Sequence, residues 1–143
     1  MGKTVRRFLF GQFQTHRITP IDWGLLALRV GFGALMIFGH GWGKLAHFGD
    51  YAAKFADPLR VGVTTSLALT VFAEFFCSLA VALGLFTRLA AMPLIVTMLV
   101  AAFVINADAP WGDKELAVLY LVPYITLLFA GPGRISLDRK LSR

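Results

Sequence analysis

Two lone charges sit inside four membrane-length apolar runs, and that pattern constrains this chain more than anything else in it. Leu25 to Gly43 carries a single charge, Arg29. Val61 to Thr87 also carries one, Glu74, with thirteen uncharged residues on either side. Leu89 to Ala107 and Leu116 to Gly133 carry none. A helix that crosses a bilayer needs ~20 apolar residues at 1.5 Å of rise each. In hydrocarbon it must also satisfy its backbone hydrogen bonds internally. The reading is therefore all-α: a transmembrane four-helix bundle with spans at about 20–43, 64–85, 89–105 and 114–130.

Composition agrees. Apolar residues make up 57% of the 143 residues, charged residues only 15%, and mean hydropathy is +0.70. A soluble domain carries about a quarter charged residues. Four spans leave no length for a separate soluble catalytic domain, so the protein acts in the bilayer or through a partner. Residues 19–133 read as the four-span membrane domain, 1–18 as a basic and aromatic interfacial tail, and 134–143 as a basic tail.

The net charge of +6 would suit nucleic acid, but the basic residues cluster at the ends of apolar runs, so no nucleic-acid partner is expected. Four spans put both termini on one side. That side collects Lys3, Arg6, Arg7, Arg17, Arg88, Arg134, Arg139, Lys140 and Arg143, against Lys44, Lys54, Arg60 and Lys114 on the other. The positive-inside rule then makes both termini cytoplasmic. The lone cysteine, Cys77, allows no intrachain disulfide and reads as a small packing residue; no metal cluster is visible.

Local signals place the elements. Thr19, Pro20 and Asp22 are a helix start. The glycines at 24, 31, 33, 39, 41 and 43 suit close helix approach in lipid. Phe48, Tyr51, Ala52 and Phe55 recur at helical spacing and predict a short amphipathic helix at the outer interface, between spans one and two, ended before Pro58. Asp113 is the expected cap of the fourth span, and Gly131-Pro132-Gly133 its stop.

A charge at membrane depth needs a partner in the protein interior. Counting residues from the inner helix ends puts Arg29 and Glu74 about one helical turn apart in depth, so a direct pair is expected. His40 and Lys44 share a face with Arg29; Ser66, Thr70, Cys77 and Ser78 share one with Glu74. The stripes suggest a polar intramembrane pocket, with Glu74 and Arg29 as catalytic candidates and His40, Lys44, Thr70 and Tyr120 as ligand contacts. Such a pocket suits a quinone head group, whose carbonyl oxygens accept hydrogen bonds while a carboxyl exchanges a proton. Against this stands a pair that only fixes helix register. Lys44 with Glu115 reads as a structural ion pair, and Tyr120 and Tyr124 read chiefly as packing.

The pattern Arg29-x-x-x-Gly33 with His40-Gly41-x-x-Lys44-Leu45 resembles the opening of the DoxX family. So do Glu74 with Leu83-Gly84-Leu85-x-Thr87-Arg88, Lys114-Glu115-x-Ala117-x-Leu119-Tyr120, and Gly131-Pro132-Gly133-Arg134-x-Ser136-Leu137-Asp138. The segments are collinear over roughly 22–139. The resemblance implies a small four-helix protein of the bacterial cytoplasmic (inner) membrane, some of whose relatives are linked to thiosulfate:quinone oxidoreductase or oxidative-stress responses. The expectation is a quinone-interacting membrane subunit of an oxidoreductase system. It has no intrinsic cofactor, a bound quinone as candidate ligand, and a membrane or soluble oxidoreductase partner or a homo-oligomer. The alternatives are a non-enzymatic scaffold or assembly partner and a small-solute or proton transporter.

Overall fold

The computed structural model describes residues 17–141, so the expected interfacial tail lies almost wholly outside the described residues. Among the described residues the chain is all-helical and contains no strand. Its elements are α1 (Pro20–Ala46), α2 (Phe48–Ala52), α3 (Val63–Leu83), α4 (Thr87–Ile105), α5 (Trp111–Ala130) and α6 (Leu137–Leu141). Helices α1, α3 and α4 are long and apolar enough to cross a membrane. Helix α5 has 20 residues, but Asp113, Lys114 and Glu115 crowd its first turns.

The helix signals act as read, with one exception. At the start of α1 the Thr19 N–H and hydroxyl both donate to Asp22 Oδ2 at 2.7 Å. These bonds hold the first turn closed behind Pro20. Helix α3 ends at Gly84 (φ +69°), where Leu85 N–H donates to Ala80 O at 2.8 Å and Gly84 N–H to Val81 O at 3.0 Å. Two such bonds around a left-handed glycine satisfy carbonyls that the last turn would leave bare. Gly131 stops α5. The exception is Asp113: α5 starts earlier, at Trp111 after Pro110, so Asp113 lies in the first turn instead of capping it.

The connection after α1 contains a short helix where one was expected, but α2 ends at Ala52, so Phe55 lies beyond it, and the connection runs on past Pro58 to α3. Its order comes from Asp57. The Asp57 carboxylate accepts from Ser66 Oγ at 2.6 Å, Gly62 N–H at 2.8 Å and Val61 N–H at 3.1 Å. The Ser66 hydroxyl, then the backbone N–H groups, hold its carboxyl below the usual carboxylate range.

Helices α1 and α3 run antiparallel and almost touch. A methyl on Gly33 would lie 2.9 Å from Ser78 O, and one on Gly41 2.8 Å from Glu74 O. Both obstacles are backbone, so neither glycine can grow without separating the helices. Helix α5 packs along α4 and also meets α1. The core is Met36 of α1, Val81 of α3, Leu94 of α4 and Tyr124 and Leu127 of α5, all fully buried. Leu35, Phe38, Val96 and Phe129 face outward, as a lipid-facing surface requires.

Each of the three membrane-length helices contains a π-turn: Ile37–Gly41 in α1, Phe72–Cys77 in α3 and Ala101–Ile105 in α4. A π-turn widens the helix by one residue and shifts the phase of everything after it. Those of α1 and α3 meet at Gly41 and Glu74.

At the end holding the α3–α4 turn, here called the terminal end, the chain after α5 folds back over the helices. Asp22 Oδ1 accepts from Arg134 N–H at 2.8 Å. Asp138, fully buried, accepts from the N–H groups of Phe86 (2.6 Å) and Thr87 (2.9 Å), and its own N–H donates to Gly84 O at 2.8 Å. Phe86 offers no side-chain cap at the start of α4. Asp138 supplies that cap from 51 and 52 residues away.

Candidate functional site

A cavity of about 1040 Å³ lies between α3 and α4 and reaches α1 and α5 at its polar end. Its polar lining includes His40 and Lys44 of α1, Thr70 and Glu74 of α3, and Tyr120 of α5. Most of the remaining wall is apolar, from Met36, Ala73, Cys77 and Ala90 among others. The π-turns of α1 and α3 present His40 and Glu74, and the third π-turn places Ala101 and Ile105 in the wall.

Lys44 and Glu74 form the ion pair, Nζ to Oε2 at 2.5 Å. The Glu74 side chain is 6% exposed and that of Lys44 17%. The pair is therefore desolvated on the carboxylate side and reaches outward on the ammonium side, as a long cationic stem allows. His40 stands edge-on to Tyr120, with centroids 5.8 Å apart and an interplanar angle of 89°. Phe32 packs on the same tyrosine at 5.7 Å, and Tyr124 stacks beneath it at 6.2 Å. Tyr120 is thus clamped on three sides. Thr70 lines the cavity, but its hydroxyl donates to Ser66 O at 2.9 Å within its own helix.

Two pairings expected from the sequence are rewired. Arg29 does not meet Glu74. Its guanidinium donates to Ala82 O at 3.0 Å and to Ile135 O, at the terminal end. The depth estimate took Asp22 and Gly84 as level, yet Arg29 lies against Ala82, eight residues from Glu74, or ~12 Å. Side-chain lean separates them further. Helical side chains point toward their own N-terminus. In antiparallel helices Arg29 therefore leans to the terminal end and Glu74 away from it, while Lys44 leans down toward Glu74. The same geometry removes the expected Lys44–Glu115 pair: Lys44 is engaged by Glu74, and Glu115 is exposed. The structure thus brings together His40, Lys44, Thr70, Glu74 and Tyr120 and leaves Arg29 and Glu115 outside the cavity.

Sequence reasoning missed the α4 wall, including Ala90, Pro93 and Thr97, because nothing charged marks it and a lone threonine in an apolar run gives no signal. It also missed Asp138 as a buried cap, reading 134–143 only as a basic tail, although Asp138 stood in the motif that follows the glycine-rich stop. Among the described residues, no group of His, Cys, Asp or Glu could hold a metal ion.

Residues 24–107 match the family model described as DoxX. An uncharacterised membrane protein of Mycobacterium tuberculosis is 36% identical over 104 residues, covering 59% of this chain and 62% of that relative's length. The chain therefore spans less than two thirds of the relative it matches. No solved structure matches.

Proposed function

The chain belongs to the DoxX family, and from that premise we propose that its cavity binds a quinone within a membrane oxidoreductase system. In this reading α5 is a fourth span, both termini face the cytoplasm, and the protein sits in a bacterial inner membrane. One observation carries the proposal: a Lys44–Glu74 pair, its carboxylate buried, lines a large and mostly apolar cavity. A pair needed only to fix helix register gains nothing from lining a cavity.

The residues present suit such a ligand. The Lys44 ammonium and a His40 ring N–H can donate to a carbonyl oxygen, and the Tyr120 ring offers an edge or face to a flat head group. The Glu74 carboxylate, held by Lys44 through Oε2, can accept a proton at its other oxygen, Oε1. A bound quinone supplies acceptance of two electrons and two protons. The electrons come from a partner oxidoreductase, which makes this chain a membrane subunit and not an autonomous enzyme.

The test is mass spectrometry of small molecules extracted from protein purified in mild detergent, alongside Glu74→Gln. Wild type is expected to retain a quinone that the folded variant loses. Equal retention by both, or no quinone in folded wild type, would overturn the proposal and favour a scaffold.

A further inference from the structure

The cavity has a second half that the charged end does not explain. Its α4 wall extends from Leu89 to Ile105, sixteen residues or ~24 Å, most of the ~30 Å thickness of a bilayer core. Its volume of about 1040 Å³ stands at the upper end of the ~300–1000 Å³ typical of ligand pockets. A head group at Glu74 leaves most of it empty.

The wall divides into a floor and a rim. Ala73, Cys77, Ala90 and Met98 form a buried floor. Phe72 and Phe76 of α3 with Leu89 and Val96 of α4 line the same space, yet are 50–55% exposed. The cavity is therefore a trough, open sideways along the α3–α4 seam on the lipid-facing surface. The seam also offers little to a polar guest. The Thr97 hydroxyl donates to Pro93 O at 2.9 Å, as that of Thr70 donates within α3.

We infer that the α3–α4 seam is the seat of the ligand's long apolar tail and the door through which it enters from the bilayer. The inference rests on the reading of the charged end as a head-group site. The occupant follows from continuity, since one cavity joins a charged end to an apolar trough, and a molecule filling both has a small polar head and a long hydrocarbon tail. In lipid the tail gains no hydrophobic free energy by moving from bilayer to trough. The seam therefore selects by shape and lateral access, and is sensitive to side chains that fill the floor.

The probe is a quinone with a diazirine near the end of a long alkyl tail, photolysed with the full chain in bilayer nanodiscs. Labels are mapped by peptide mass spectrometry, and affinities of long-tailed and tail-less quinones are measured separately. Labels are expected in the Leu89–Val96 segment, competed by unlabelled long-tailed quinone. Ala90→Phe and Ala80→Phe (Ala80 of α3 also lines the trough), checked for thermal stability, should cut labelling and long-tailed affinity at least tenfold and spare tail-less quinone. If quinone binds but the seam stays unlabelled, and both variants bind long-tailed quinone like wild type, the tail seat is wrong. A second copy or a partner helix would then cover the seam. If a diazirine phospholipid labels the seam equally and Glu74→Gln changes nothing, the seam stands as a lipid seat and the quinone reading fails. No labelling and no quinone affinity would overturn both.

Discussion

Arg29 and Glu74 are both buried charges at membrane depth, but the protein treats them in opposite ways. Arg29 is spent on backbone: two carbonyls, Ala82 O and Ile135 O, take its guanidinium, and Gly84 must lack a side chain because a Cβ there would collide with it. Glu74 is spent on a side chain, Lys44, and the pair borders open volume. Backbone acceptors cannot move without unfolding the turn that carries them, whereas a lysine on a flexible stem can re-aim. The terminal end is built as a lock, and the cavity end retains freedom to meet a ligand.

The sharpest way to break this comparison is to remove each charge. Arg29→Ala leaves two carbonyls without their donor and opens a void, so a loss of about 3 kcal/mol is expected. Glu74→Gln leaves Lys44 able to reach water and should cost about 1 kcal/mol. Thermal unfolding in one detergent measures both; a Glu74→Gln loss as large as that of Arg29→Ala would make the carboxylate a structural lock too. The two glycine contacts sharpen the contrast next. Gly33→Ala and Gly41→Ala both push on α3 backbone and should each cost about 1–3 kcal/mol. Only Gly41→Ala moves Glu74, so it alone should weaken retention of ligand.

Asp138→Asn keeps one acceptor of the two that cap α4, for an expected loss of about 1–2 kcal/mol with ligand retention unchanged. The smallest effect concerns Asp57. Its pKa is depressed in the folded protein, so its contribution is present above the ordinary carboxylate pKa of ~3.9 and fades as pH falls through the lower folded value. Amide protection factors at Val61 and Gly62, rates taken relative to intrinsic exchange at each pH, should hold at neutral pH and fall only in strong acid. Asp57→Asn should remove that pH dependence.

Much of the architecture was legible because it depends on local rules. Thr19 and Asp22 start α1, Gly131 stops α5, and the apolar runs locate the helices within about three residues. The candidate site was legible only as a set of residue types. His40, Lys44, Thr70, Glu74 and Tyr120 do share one cavity, yet both expected ion pairs involving Arg29 and Glu115 are replaced. A wheel of 100° per residue fails after a π-turn, and counting from helix ends fails when one helix overhangs its neighbour.

The sequence by itself determined that the chain is helical, that it belongs in a bilayer, and that its few interior charges must find partners there, because hydrocarbon leaves backbone and charge no other option. Only the tertiary structure decided which partner each charge takes. That choice turns on helix register to within one turn and on the lean of side chains toward their own N-termini. These are set where Gly33 and Gly41 let α1 settle onto the backbone of α3.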